Sequence, residues 1–154
     1  MDYQNTLKYL YESAPMFQQI GGKAYKPGLE TTHKLDEHFG HPHQQFKTIH
    51  IAGTNGKGST LAFLAGIFRE SGYRAGRYVS PASFCYEERF RINEENISKE
   101  DLCFYMEKIK KISEEMVRDG MSHPTMFEIE TALSFLYFLD KKVDVVLLET
   151  GMGG

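Results

Sequence analysis

The segment Ile49-His50-Ile51-Ala52-Gly53-Thr54-Asn55-Gly56-Lys57-Gly58-Ser59-Thr60 constrains this chain more than any other. A short apolar strand enters a loop with three glycines and one lysine, and a long apolar stretch from Leu61 follows at once. The glycines let a backbone wrap closely round phosphate oxygens, so that the loop N–H groups of Gly53, Thr54, Asn55 and Gly56 point inward as donors. A helix beginning there adds the positive end of its dipole. Lys57 is placed to neutralise β- and γ-phosphate charge, and a hydroxyl of Ser59 or Thr60 to meet a phosphate or its magnesium. The segment departs from the general pattern G-x-x-x-x-G-K-[ST]. Gly58 follows Lys57, so the hydroxyl comes one place late, and Gly53 lies only three residues before Gly56. The plainer alternative is an ordinary glycine-rich turn, but strand, loop, lysine and helix stand in the order a phosphate site needs.

Size and charge narrow the classes that remain. The chain has 154 residues, one domain's worth, and is 41% hydrophobic and 25% charged, as in ordinary soluble globular proteins. A net charge of −3 gives no reason to expect nucleic acid or an anionic membrane surface as partner, so any anion must be held by a loop and a few cations. Cys85 and Cys103 make neither a disulfide framework nor a metal spacing, which fits free thiols in a reducing cytoplasm. Met1-Asp2-Tyr3-Gln4-Asn5 lacks the basic and apolar regions of a signal peptide, and no apolar run reaches membrane-spanning length. The sequence stops at Gly153-Gly154, directly after a hydrophobic strand, which leads us to expect the N-terminal piece of a larger protein.

Apolar spacing predicts the elements. Helices are expected over 2–13 (with Leu7, Leu10 and Tyr11 on one side), 29–39, 59–71, 98–119 and 125–140. Gly21-Gly22 and Pro27-Gly28 break the chain. The 59–71 helix is apolar on most sides, through Leu61, Phe63, Leu64, Ile67 and Phe68, and is expected to be buried. In 98–119, Leu102, Tyr105, Met106, Ile109, Ile112, Ser113 and Met116 recur at helical spacing as a core stripe; the 125–140 helix is apolar nearly all round. Strands are expected over 47–52, 74–79 and 143–148, and 89–93 alternates as strand or extended loop. The run Val143–Leu148 fits a parallel strand covered on both faces. This alternation predicts an α/β fold with a mostly parallel sheet flanked by helices. The Gly53 loop, the Ser80 loop and the Glu149 turn all follow strands, so they should converge on one sheet edge.

Few other residues suggest chemistry. Glu149 ends an apolar strand, where a carboxylate needs a partner: a metal ion, a helix end or a lysine. Ser80-Pro81 reads as a simple turn. Glu87, Glu88, Arg89 and Arg91 form a mixed-charge cluster, usually a solvated face of weak ion pairs. Phe84 and Tyr86 either stack on a flat ring or join the core. His41-Pro42-His43 reads as an exposed loop, His50 as structural, and His33, His38 and His123 have no assignable partners. Neither a Ser/His/Asp order nor a reactive-cysteine context is present, so nucleophilic acyl catalysis is not suggested.

Five ordered segments carry a resemblance to a known family. They are Pro27-Gly28-Leu29 with Phe39-Gly40-His41-Pro42; Gly53-Thr54-Asn55-Gly56-Lys57-Gly58-Ser59; Ser80-Pro81 with Glu88-Arg89-Phe90-Arg91-Ile92-Asn93; Thr125-Met126-Phe127-Glu128 with Thr131-Ala132-Leu133; and Val143 to Gly154, ending Glu149-Thr150-Gly151-Met152-Gly153-Gly154. Together they resemble the folylpolyglutamate synthase and dihydrofolate synthase branch of the Mur ligase superfamily, over nearly all the residues given. The resemblance implies a P-loop NTPase-like central domain, incomplete at the C-terminus. Residues 1–46 would be a helical lead-in packed on a partial ATP domain over 47–154, with a C-terminal ligase domain absent. It implies ATP and magnesium, with Lys57 catalytic, residues 53–60 on the phosphates, and Ser80 and Glu149 as magnesium ligands. Ala82, Phe84, Glu88 and Arg89 would lie near the acceptor, although Ala82-Ser83-Phe84-Cys85 departs from the commoner family form after the Ser-Pro pair. The implied activity is ATP-dependent addition of L-glutamate to a folate or dihydropteroate through an acyl phosphate, in a monomeric cytoplasmic parent enzyme. This part alone is expected to be inactive. The alternatives are a nucleotide-binding module without turnover and a Mur-type ligase with another acceptor.

Overall fold

The computed structural model describes residues 1–13 and 28–151. The Gly21-Gly22 break, Pro27 of the first motif and Met152-Gly153-Gly154 of the last lie outside the described residues. The helices are α1 Tyr3–Ser13, α2 Glu30–His38, α3 Lys57–Glu70, α4 Lys99–Arg118 and α5 Met126–Asp140. The strands are β1 Lys47–Ile51, β2 Ala75–Tyr78, β3 Phe90–Ile92, β4 Glu95–Asn96 and β5 Val145–Glu149. Two compact units result: Met1–His41 with Lys99–Leu136, and Pro42–Ser98 with Tyr137–Gly154. None of the described helices is long and apolar enough to cross a membrane.

In the first unit, α4 buries all seven residues of its expected stripe, from Leu102 to Met116. Ser113 is tolerated there because its hydroxyl donates to the Ile109 carbonyl at 2.8 Å. The stripe of α1 is rotated from the expected one. Thr6, Tyr9 and Leu10 are buried, whereas Tyr11 is 44% exposed. The deciding residue is Thr6, which the apolar pattern does not count; its hydroxyl donates to the Asp2 carbonyl at 2.8 Å and so can be buried.

Helix α5 opens with a closed capping box. The Glu128 N–H donates to Thr125 Oγ1 at 3.3 Å, and the Glu128 carboxylate accepts from the Thr125 N–H at 2.8 Å. The same carboxylate takes hydroxyl donations from Thr125 and Thr32, both at 2.8 Å, and from Thr31. One side chain thereby fixes the start of α5 to the first turn of α2.

The second unit is built on a five-stranded sheet of order β1-β5-β2-β3-β4. Its β1, β5 and β2 pair in parallel, and β3 and β4 extend it antiparallel, so the sheet is mixed with a parallel core. Strand β4, only two residues long, was not foreseen. The turn between β3 and β4 is held by Asn93, whose φ is 53° and whose Oδ1 accepts from the Ala75 N–H at 3.0 Å. On one sheet face, Leu61 and Ala65 of α3 pack on Ala75, Val145 and Leu147, with Ile49, Ile51, Leu64, Phe68 and Val79 against them. The expectation that α3 is buried on most sides fails: Phe63 is 73% and Ile67 62% exposed. Residues 61, 64, 65 and 68 form one helical face and meet the sheet, while 63 and 67 lie on the opposite face. On the other side of β2, a Cβ at Gly76 would come within 2.7 Å of the Phe138 ring, so only glycine lets that strand approach α5 so closely.

Burial alone would raise the Glu128 carboxyl, but the donations from Thr31, Thr125 and Thr32 outweigh it and hold the group below its usual value. A depressed folded value stabilises above the unfolded value, about 4.3, and that stability is lost as pH falls through the folded value. Glu128→Gln is expected to cost about 1–2 kcal/mol at pH 7, since the group is partly solvated. The difference from wild type in urea unfolding should shrink as pH falls below about 4.

Candidate functional site

The parallel register brings three strand ends together. Ile51 of β1 stands opposite Glu149 of β5, and Tyr78 of β2 opposite Leu148. The chain leaving β5 stays on β1: the Thr150 N–H donates to the Ile51 carbonyl at 2.9 Å, and Thr150 Oγ1 lies 2.7 Å from His50 Nε2. Across β2, the Ser80 N–H donates to Glu149 Oε2 at 3.3 Å. The other oxygen, Oε1, would lie 3.9 Å from a Cβ placed on Gly58. The Glu149 carboxylate is therefore set between the β2 exit and the start of α3. Among the described residues its hydrogen-bond partner is this backbone amide, rather than a lysine or a helix end.

Helix α3 begins at Lys57, two residues before the expected Ser59. Gly56 caps it in the left-handed region, at φ 79° and ψ 0°, and no side chain makes a cap hydrogen bond. Any other L-residue at Gly56 would be strained by about 1–2 kcal/mol. The N–H groups of the first helical residues have no partner within their own helix, so the start of α3 presents donors together with its positive dipole end. Lys57 Nζ donates to the Gly53 carbonyl at 2.8 Å, folded back over its own loop. Residues 53–56 and 58–60 are exposed and Lys57 is half-buried. A Cβ at Gly58 would make ordinary van der Waals contact with Glu149 Oε1, so this turn and the carboxylate are close neighbours.

Among the described residues, no group of three or more His, Cys, Asp or Glu could hold a metal ion. A magnesium ion arriving with a nucleotide needs only one or two protein oxygens, since water and phosphate fill the other positions. The Ser80 hydroxyl and the Glu149 carboxylate are hard oxygen donors of that kind, so the residues present fit such an ion. His41-Pro42-His43 does not form a metal site; His41 Nδ1 contacts Asp36 Oδ2 at 2.6 Å and both histidines are exposed.

The segment after Ser80 begins with a cis Ser80–Pro81 peptide. Glu88 Oε2 accepts from the N–H groups of Ser83 at 2.9 Å and Phe84 at 3.1 Å, while Oε1 lies 3.7 Å from Arg91 Nη2. The Phe84 and Ser83 donations, with Arg91 and the Cys85 N–H adding, hold the Glu88 carboxyl below its usual range. Phe84 projects from this tethered turn, 95% exposed, whereas Tyr86 is buried against Phe90 at a centroid distance of 6.1 Å. The Arg89 guanidinium lies over the Tyr86 ring at 5.3 Å, and Ala82 is half-buried. The expected solvated face is therefore wrong for this cluster. Glu87 is 6% exposed, because the 3₁₀ turn Tyr86–Arg89 and β3 carry the segment into the sheet. Sequence reasoning also missed the His50–Thr150 contact, which needed the β1–β5 register.

No family model matches the chain. Over 130 residues it is 42% identical to the dihydrofolate synthase/folylpolyglutamate synthase of Bacillus subtilis, covering 84% of this chain and 30% of that protein. The crystal structure of folylpolyglutamate synthase from Thermotoga maritima superposes with a TM-score of 0.86 at 42% identity, over 99% of this chain and 34% of that one. A complex of FPGS with AMPPCP and folate superposes with a TM-score of 0.89 at 31% identity, over 100% of this chain and 36% of that one. The chain thus spans about a third of the length of each of these three proteins.

Glu88→Gln is expected to speed amide exchange at Ser83 and Phe84 several-fold at neutral pH. Because the Glu88 carboxyl is depressed, wild-type protection should persist above the ordinary glutamate range and disappear as pH falls below it, converging on the variant.

Proposed function

We propose that this chain, a homologue of the N-terminal portion of folylpolyglutamate and dihydrofolate synthases, is the nucleotide-binding part of an ATP-dependent ligase that joins L-glutamate to a folate or dihydropteroate. The observation that carries this reading is the placing of Glu149 against both the Ser80 amide and the start of the Lys57 helix. In this reading, N–H groups of residues 54–60 hold the phosphates, with Gly53 and Gly56 giving the loop its path. Lys57 exchanges the Gly53 carbonyl for a phosphoryl oxygen, trading a neutral acceptor for a charged one. Ser80 Oγ and a Glu149 carboxylate oxygen would hold magnesium, which supplies positive charge shared with the phosphoryl oxygens when bound.

An acceptor carboxylate then attacks the γ-phosphorus, ADP leaves, and an acyl phosphate forms. The amino group of glutamate attacks its carbonyl carbon, phosphate leaves with the acyl C–O bond, and the amine gives up a proton. The residues of this chain contribute positioning and charge neutralisation, with Lys57 acting directly on the transferred group. Ala82, Phe84, Glu88 and Arg89 belong to the acceptor side: Glu88 sets the loop, and the exposed Phe84 ring offers a face to a flat heteroaromatic group. The glutamate site and much of the adenine pocket are assigned to the further two-thirds of length that the relatives have, and ligation is assigned to the longer protein.

A second reading, nucleotide binding without ligation, takes support from that same coverage. Glutamate-dependent phosphate release from ATP with a pteroate acceptor separates the two.

Calorimetric titration with magnesium-ATP tests the nucleotide step. Wild type is expected to bind, and Lys57→Ala to bind about 10-fold or more weakly, as for loss of one charge-assisted contact. Equal binding by the two, or none by a folded wild-type chain, would contradict the assignment of the cradle.

A further inference from the structure

Arg77 has no role in the phosphate loop or in the turn that Glu88 holds. It lies in β2 directly opposite Arg91 of β3 in the antiparallel register. Side chains so paired share one sheet face, with Cβ atoms about 5 Å apart, and like charges there repel. Arg77 is nevertheless 8% exposed. Its Nε is buried and has no hydrogen-bond partner among the described residues. Its neighbours on the same face are apolar: Ala75 and Val79 along β2, and Leu147 across on β5. Two acids act on this pair, Glu94 on Arg77 and Glu88 on Arg91, and both have other partners as well. Glu94 lies 3.1 Å from Arg69 Nη1, and Glu88 is bonded to its own loop. Arg91 is partly engaged: its Nε donates to Asn96 Oδ1 at 2.7 Å, and its Nη2 forms an ion pair with Glu88 Oε1 at 3.7 Å. Burial first, and then the Arg91 charge, lower the proton affinity of Arg77, with Glu94 acting the other way; a guanidinium stays charged all the same.

A buried cation beside a second cation, with an unmet donor, is a costly arrangement unless an anion completes it. We infer that Arg77 and Arg91 form an oxyanion site on the α3 side of the sheet, which takes a carboxylate or phosphoryl group of a small molecule. Two guanidinium-bearing side chains paired on one sheet face can supply several N–H donors to such oxygens, which one lysine would not. The site belongs to the β2–β3 pair, whereas the phosphate loop follows β1, and it does not depend on the proposed ligase activity.

The test is NMR of the chain labelled at arginine nitrogen, titrated separately with inorganic phosphate and with glutarate. The Nε–Hε signals of Arg77 and Arg91 are expected to shift saturably with at least one of them, in wild type and equally in Lys57→Ala. The anion that binds more tightly identifies the chemistry. Arg77→Met and Arg91→Met should each weaken binding about 10-fold or more, with backbone amide dispersion reporting that each is folded. If Arg77→Met does not fold, Arg91→Met decides alone. Absence of a saturable shift with either anion, loss of the shift in Lys57→Ala, or wild-type affinity in the folded arginine variants would overturn the inference.

Discussion

The carboxyl edge of the sheet depends on the register of Val145–Glu149 between its two parallel neighbours. The strand alternates strictly, so Val145, Leu147 and Glu149 share the face that meets α3. A slip of one residue would turn Glu149 to the opposite face and withdraw Val145 and Leu147 from the helix. Burial of those two apolar side chains therefore fixes where the terminal carboxylate lands. The same register sets Ile51 and Tyr78 level with the end of β5, so the loops after all three strands leave together.

Among the described residues, the charged groups of the site so assembled have neutral rather than charged hydrogen-bond partners. The start of α3 lacks a side-chain cap, and with glycine in that place the omission costs about a few tenths of a kcal/mol. Lys57 meets a neutral carbonyl rather than an acid, and Glu149 meets an amide rather than a cation. Cationic and dipolar groups on one side and a carboxylate on the other are what a phosphate with its metal would join. The carboxylate stands beside the turn at Gly58, where a Cβ would lie 3.9 Å from Glu149 Oε1.

Much of this was legible in the sequence, because local periodicity carries it. The α4 stripe, the apolar run of β5 and the strand–loop–lysine order each follow from spacing alone. What failed to show depended on what lies opposite. The apolar residues of α3 all look alike in sequence, yet only 61, 64, 65 and 68 have a sheet to meet, and Phe63 and Ile67 do not. The start of α5 near Thr125 followed from spacing, but its capping box was not read there, and the hydroxyls of Thr31 and Thr32 reach Glu128 only through tertiary structure. The charged run from Glu87 reads as a surface, and is half-buried because β3 is paired on both sides. The Arg77–Arg91 pair exists only once the β2–β3 register is known.

The central claim is that Ser80, Glu149 and the first turn of α3 make one site for a metal-bound nucleotide. Manganese suits the same oxygen ligands as magnesium and broadens nearby NMR signals. In a titration with manganese-ATP, the amides of Gly58, Ser80 and Glu149 should broaden first, and Glu149→Gln should remove that effect while the chain stays folded. Early broadening elsewhere with these three amides still sharp, or an unchanged pattern in Glu149→Gln, would contradict the account.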